Sequence, residues 1–299
     1  MSKRLVFFGN ERLVSGLPHS DTPVLRGLIE KGYEIVAIVA NYETGTSRSA
    51  RKLEVAEVAK EHNIPLFTPE KPADIFDELR KFHADAAVLV AYGRIIPQRV
   101  IDVFGPVGII NIHPSLLPRH RGPTPIESTI LAGDTEAGVS IMRITAGMDE
   151  GPVYTQARVP LSGSETKFEL YEKLSELGAK LLIDSLPDIL ENKLQPVSQQ
   201  NDGVTVTSLI LKQHGILDTT TDTAYALERK IRAHLSYPKS RLSIGNNDVV
   251  VTMAKVVDGP GSGILVVPCA EKTYLEILEL TAPSGKKMTG EAYLRGYAA

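Results

Sequence analysis

Through the first two thirds of the chain, short apolar runs alternate with segments of helical periodicity. Residues 5–8, 34–39, 86–90, 108–112 and 139–144 are mostly apolar and bounded by Gly, Pro or Asn. They are too short for core helices, so each reads as a buried strand. Between the first two, Asp21, Thr22 and Pro23 open a periodic run that reaches Lys31 and Gly32. This supplies an N-cap candidate, an early proline and a terminal glycine in the order a helix requires. Residues 52–62 and 73–82 repeat the helical pattern. Such alternation predicts an α/β domain with a Rossmann-like, mostly parallel sheet, helices on both faces and ligands at the carboxyl ends of the strands.

The pattern then changes twice. Residues 166–192 form a long amphipathic stretch in which Pro187 is expected to kink the helix or end a first one near Ser185. Residues 193–206 are polar, with Gln195, Gln199, Gln200, Asn201 and Gly203, and read as a linker. After a helical segment at 222–235 come short strands at 241–244, 249–257, 264–267 and 274–280, separated by glycine-rich turns. That is the pattern of a small β-barrel, for which an OB-like fold is one option. The expected organisation is a large domain over 1–192, a linker over 193–206 and a smaller domain over 207–299.

Composition narrows the function classes. A formal charge of −3 from 33 basic and 36 acidic residues gives no global positive field, so any RNA contact has to be local. The single cysteine, Cys269, excludes an internal disulfide, and no Cys/His cluster has the spacing of a zinc site. A reducing cytosol and a monomer without metal are expected. Lys3 and Arg4 are followed by only four apolar residues before Gly9, too few for a signal-peptide core or a membrane span.

Gly9 stands alone after its strand, without the glycine pattern that lets a dinucleotide pyrophosphate approach, and no phosphate-binding loop motif occurs. The informative segment runs from Gly108 to Gly122. Side chains alternate on a strand, so Asn111 and His113 share one face while Ile110 and Ile112 take the other. Pro114 stops the ladder and leaves the polar pair at the strand's carboxyl end. The pair could serve chemistry there, or merely cap the strand and satisfy loop backbone. Asp149 follows the next strand between Gly147 and Gly151, which permit unusual backbone angles and close approach. Taken alone, it fits a turn former as well as a catalyst.

Several separated motifs carry a resemblance: Ala91-Tyr-Gly-Arg-Ile-Ile-Pro97, Asn111-x-His-Pro-Ser-Leu-Leu-Pro-Arg-x-Arg-Gly122, Pro125-Ile126, Gly133-Asp134, Gly138-Val139 and Gly147-Met-Asp149. In order and spacing they resemble the 10-formyltetrahydrofolate-dependent formyltransferases. That resemblance implies catalytic roles for Asn111, His113 and Asp149. It also implies that a folate pteridine lies along the main chain of Tyr92, Gly93, Arg94, Ile95 and Ile96, with the Ser115, Leu116, Leu117 and Pro118 turn as adjoining wall and the loop containing Gly147 closing over it. The donor it implies is 10-formyltetrahydrofolate.

Members share this catalytic domain and differ in the acceptor amine. Leu211 to Asp218, Lys230 to Ala233, Leu275 to Leu280 and Gly285 to Met288 resemble the C-terminal module of the members that formylate methionine on initiator tRNA. The resemblance therefore implies an OB-like, RNA-binding C-terminal domain and an initiator tRNA charged with methionine as partner. The alternative acceptor is an amino-sugar nucleotide. Three departures stand out. The family's basic loop after the second strand is matched only by 41–52, where Arg48, Arg51 and Lys52 keep the charge as tRNA-contact candidates; residues 11–20 are an insertion; and Ser236-Tyr237 replaces the usual Pro-Trp. In the C-terminal third, Lys212, Lys230, Arg232, Lys286 and Lys287 read equally as an RNA groove or as a solvated face.

Overall fold

The computed structural model describes residues 2–41, 53–261 and 263–297. The first domain runs β1 (Arg4–Gly9), α1 (Pro23–Glu30), β2 (Glu34–Val39), α2 (Glu54–Glu61), β3 (Leu66–Phe67), α3 (Phe76–Lys81), β4 (Ala86–Val90), α4 (Gln98–Ile101) and β5 (Ile109–His113). It continues with α5 (Pro125–Ala132), β6 (Glu136–Arg143), β7 (Val153–Pro160) and α6 (Lys167–Leu190). Seven strands form one sheet in the order β3-β2-β1-β4-β5-β6-β7. The first five are parallel, while β6 is antiparallel to both β5 and β7.

Both faces of the sheet are covered. Leu5, Phe7, Val88 and Ile110 pack with Leu25, Val58 and the buried stripe of α6, whereas Val6, Phe8, Ala87 and Ile109 pack with Leu79, Val100 and Phe104. This double burial is why β4 reads as an unbroken apolar run rather than an alternating one, and why β5 departs from such a run only at Asn111 and His113. β7 carries no such run. It is an edge strand whose side chains are largely half-exposed, with Tyr154 its one buried residue, so its sequence gave no strand signal. The link from β6 to β7 is too short for a parallel crossover, which makes that pair a hairpin.

Two local expectations need correction. Helix α6 does not end near Ser185; it continues through Pro187 to Leu190. Proline removes one backbone donor close to the helix end, and the burial of Leu182, Leu186 and Ile189 against the sheet outweighs that loss. The second concerns α1, whose N-cap Thr22 is left-handed (φ 50°) and makes no side-chain cap. The cap comes from the 11–20 insertion: the Glu11 carboxylate accepts from the Val24 N–H at 3.0 Å and from the Leu25 N–H at 2.9 Å. Tyr171 of α6 donates its hydroxyl to the Glu11 carbonyl at 2.9 Å, and Arg12 binds the buried Glu54.

The smaller domain contains α7 (Ala224–Ala233), β8 (Ser240–Ile244), β9 (Asn247–Val257), β10 (Val266–Pro268), β11 (Tyr274–Thr281), β12 (Lys287–Thr289) and α8 (Gly290–Tyr297). Its antiparallel strands, ordered β10-β11-β9-β8 with β12 also on β11, curl into a half-barrel rather than a closed barrel. Leu227 and Ile231 of α7 and Tyr293 of α8 close its core against Leu242, Val251 and Ile277. Lys230 donates to the Ile216 carbonyl, and Arg232 binds Glu228 and the Glu165 carbonyl. Both of these basic side chains therefore hold structure together.

Where the domains meet, Lys167 at the start of α6 is fully buried and donates to the Tyr237 carbonyl at 2.8 Å. Burial pulls its pKa down to about 8, against the opposing pull of Glu127. A side chain on Gly16 would come within 2.7 Å of the Ser236 hydroxyl. The insertion and the Ser236-Tyr237 replacement, two of the departures from the family pattern, thus touch each other across the domain junction.

Glu11 generates a stability prediction. Burial pushes its carboxyl up to about 7 from 4.5, against the two backbone N–H groups it accepts. The folded state therefore binds this proton more tightly than the unfolded chain, so the contribution is full below the unfolded pKa and is lost as pH rises toward 7. Glu11→Gln should flatten the fall in unfolding free energy between about pH 5 and pH 7 in urea titrations. An identical slope in both proteins contradicts this linkage.

Candidate functional site

β5 places the two polar residues. Its Asn111 lies opposite Leu89 of parallel β4 and Met142 of antiparallel β6, and His113 lies opposite Ser140. The site thus forms where the sheet changes from parallel to antiparallel. Both side chains are buried, although neither belongs to an apolar cluster.

The His113 ring is held by main chain. Its Nε2–H donates to the His120 carbonyl at 2.9 Å. Because a carbonyl only accepts, this contact puts a proton on Nε2 and turns Nδ1 the other way. There, Nδ1 stands 3.6 Å from Oδ2 of Asp149. That is too long for a direct hydrogen bond, so Nδ1 faces the carboxylate without being tied to it.

Asp149 reaches this place through backbone constraint. Its φ is 53°, and its Oδ2 accepts from the Gly122 N–H at 2.8 Å. Gly151 is required two residues on, since a Cβ there would lie 1.8 Å from the Arg143 carbonyl oxygen. The polar 193–206 segment supplies a latch that sequence reasoning missed. Gln199 donates its amide to the carbonyls of Asp149 at 2.7 Å and Gly151 at 2.8 Å, and its own oxygen accepts from Arg121. Val197 pairs with Val153, and Val206 with Arg121, so this segment is laced onto the site loops. Its Gln-rich composition was the available signal.

The turn at Ser115, Leu116, Leu117 and Pro118 is built onto β6 and β7. Ser140 donates to the Ser115 carbonyl at 2.6 Å and accepts from the Leu117 N–H at 3.1 Å, while Gln156 donates to the Leu117 carbonyl at 2.9 Å. Gly138 leaves room for this seating, because a Cβ there would be 2.4 Å from Leu116. Arg119 makes a two-pronged pair with Asp134 at 3.0 and 2.5 Å.

The segment from Tyr92 to Ile96 divides in two. The Tyr92 and Ile96 side chains are core, with Tyr92 edge-on to Phe8 at 5.4 Å and its hydroxyl pushed up to about 12 by burial. Gly93, Arg94 and Ile95 form the outer part, with Gly93 at φ 72° and Ile95 86% exposed. Arg94 donates to Asn41 at 2.9 Å and to the Glu70 carbonyl. Gly147 and the 56%-exposed Met148 lie in the Asp149 loop. Arg48, Arg51 and Lys52 fall outside the described residues. Among the described residues, no group of three or more His, Cys, Asp or Glu could hold a metal, and no helix is long and apolar enough to cross a membrane.

A buried imidazole with one nitrogen fixed and the other facing a carboxylate is equipped to move a proton at the edge of an α/β sheet. The family comparisons agree with that class. The sequence model for formyl transferases matches residues 11–186, and that for the formyl transferase C-terminal domain matches residues 209–298. The chain belongs to the formyl transferase family.

Curated relatives of nearly equal length include the methionyl-tRNA formyltransferase of Halorhodospira halophila, 34% identical over 99% of this chain and 97% of that protein. Another is the methionyl-tRNA formyltransferase of Chloroflexus aggregans, 32% identical over 98% and 97%. A similar solved structure is the N-formyltransferase from Helicobacter canadensis in complex with folinic acid and dTDP-3-aminofucose. It is 19% identical, with a TM-score of 0.70, over 93% of this chain and 99% of that one. At that identity it speaks for the fold.

The Gln199 latch makes a testable statement. Its two hydrogen bonds to Asp149 and Gly151 are worth about 1–3 kcal/mol together. Gln199→Ala should therefore speed amide exchange across residues 146–152 by about tenfold or more, with the global unfolding free energy lowered by a similar amount, about 1–3 kcal/mol. Unchanged exchange in that loop would show that the latch carries no weight.

Proposed function

We propose that the protein transfers the formyl group of 10-formyltetrahydrofolate to the α-amine of methionine esterified to initiator tRNA. The observation that carries the chemistry is the His113–Asp149 pair, with Nδ1 and Oδ2 separated by 3.6 Å at the carboxyl end of β5. The acceptor follows the relatives' name, supported by near full-length similarity that includes the C-terminal domain. Arg48, Arg51 and Lys52 then supply local positive charge for the tRNA, a cytosolic partner, to a protein of net charge −3. We assign the catalytic unit to 1–192 and tRNA docking to 207–299, with the enzyme acting as a monomer.

The folate would lie along the main chain of Tyr92 to Ile96, where backbone groups and the exposed Ile95 suit a flat, hydrogen-bonding heterocycle. The Ser115 to Pro118 turn and the Gly147 loop would be its walls. The amine attacks in its neutral form, and Nδ1 of His113 takes the proton that its nitrogen sheds as the new bond forms, while Asp149 stabilises the imidazolium. Attack on the formyl carbon forms the new C–N bond and an oxyanion, to which the Asn111 amide and the imidazolium donate. Collapse of the intermediate breaks the carbon–nitrogen bond to the folate, whose nitrogen recovers the proton.

His113→Ala and Asp149→Ala should each lower single-turnover formylation by at least about 10²-fold, with folate affinity within about threefold in a binding titration. Rates within tenfold of the parent would remove the proton-transfer roles. The acceptor is tested by offering labelled 10-formyltetrahydrofolate together with methionyl initiator tRNA or a dTDP-amino sugar. Formyl incorporation into the tRNA alone is expected, whereas transfer to the sugar alone would reassign the acceptor.

A further inference from the structure

His120 occupies the position left open in the Arg-x-Arg motif, and its ring has no role so far. Its backbone is left-handed at φ 57°, a region that His, Asn and Asp enter more readily than most residues. The ring is buried. Its Nε2–H donates to Oδ2 of Asp134 at 2.7 Å, and Asp134, just past the end of α5, is itself clamped by Arg119. On the other side, the His120 backbone N–H donates to the Thr205 hydroxyl oxygen at 2.8 Å, and the hydroxyl proton is left to point at His120 Nδ1, 3.5 Å away.

These bonds give every polar atom of His120 one assignment, that of a neutral ring carrying its proton on Nε2. Asp134, Arg119 and His113 are the charged or titratable groups acting on it. Burial holds its pKa below the ordinary histidine value, outweighing the hydrogen bond to Asp134. The one polar group of the residue that faces the site is its carbonyl, the acceptor for His113 Nε2–H.

We propose that His120 is a positioning residue for His113: its ring, pinned between Asp134 and Thr205, fixes the plane of its own carbonyl, and that carbonyl holds the His113 proton on Nε2 so that Nδ1 faces Asp149. The chain of donors runs in one direction. If the 120 peptide turned, the His113 proton would be free to move to Nδ1 and donate to Asp149, which would remove the lone pair needed to accept a proton from the amine. Thr205 belongs to the interdomain segment, so that segment sets the orientation of the imidazole as well as holding the Asp149 loop. This inference rests on His113 acting as the general base.

The test uses the full chain with His120→Asn, which keeps the left-handed backbone accessible but loses the reach to Asp134, and with Thr205→Val against Thr205→Ser. Long-range 1H–15N spectra of the ligand-free protein report the His113 tautomer whatever the protein acylates. The expected result is a single Nε2–H tautomer for His113 in the parent and Thr205→Ser, and a mixture in His120→Asn and Thr205→Val. In formylation assays, kcat should fall about 10- to 10²-fold in His120→Asn with the donor KM within about twofold, and Thr205→Ser should recover what Thr205→Val loses. An unchanged His113 tautomer in both His120→Asn and Thr205→Val would overturn the proposal; should His120→Asn fail to fold, Thr205→Val alone decides. Loss of the tautomer preference without any formyl transfer by the parent would keep His120's role and fault the functional reading instead.

Discussion

The placement of Asp149 opposite Nδ1 of His113 is the constraint on which the site depends. Two loops separated by a helix and a strand have to present a carboxylate and an imidazole to one point, and neither loop could hold itself. Asp149 has a left-handed backbone, its carboxylate is tied to the Gly122 N–H, and its carbonyl is tied to Gln199. Main-chain contacts of this kind cost little reorganisation when charge moves, which is what a preorganised site requires. Gly151 is part of the same constraint, because only a residue without Cβ lets the loop pass the Arg143 carbonyl.

The interdomain segment joins this constraint to the rest of the molecule. Residues 193–206 carry the polarity of a linker, yet Gln199 and Thr205 are bonded to the loops that bear Asp149 and His120. The smaller domain is also anchored through Lys167, whose buried ammonium meets the Tyr237 carbonyl, and through the 11–20 insertion, which both caps α1 and packs on Ser236. A ligand bound by the half-barrel would thus be addressed by a domain that is wired to the loops bearing Asp149 and His120.

Much of the fold was legible because doubly buried strands leave continuous apolar runs, as at 5–8 and 86–90, and because the helices between them keep their period. β7 was not, since an edge strand with Thr155, Gln156 and Arg158 has no apolar signature. Pro187 does not end its helix, because the burial of Leu186 and Ile189 outweighs the local cost of proline. In the site, Asn111, His113 and Asp149 could be named from strand alternation, glycine spacing and family likeness. Gln199, Ser140, Gln156 and His120 could not, because each acts through backbone carbonyls brought together by tertiary structure, and no local spacing records such contacts.

The most direct measurement is a crystal structure of the protein with a non-transferable formylfolate analogue. The account predicts the formyl carbon within about 4 Å of His113 Nδ1, Asp149 still facing that nitrogen, and the Nε2 contact to the His120 carbonyl intact. An analogue bound with its formyl group more than about 6 Å from Nδ1, or a His113 ring turned away from Asp149, would contradict it.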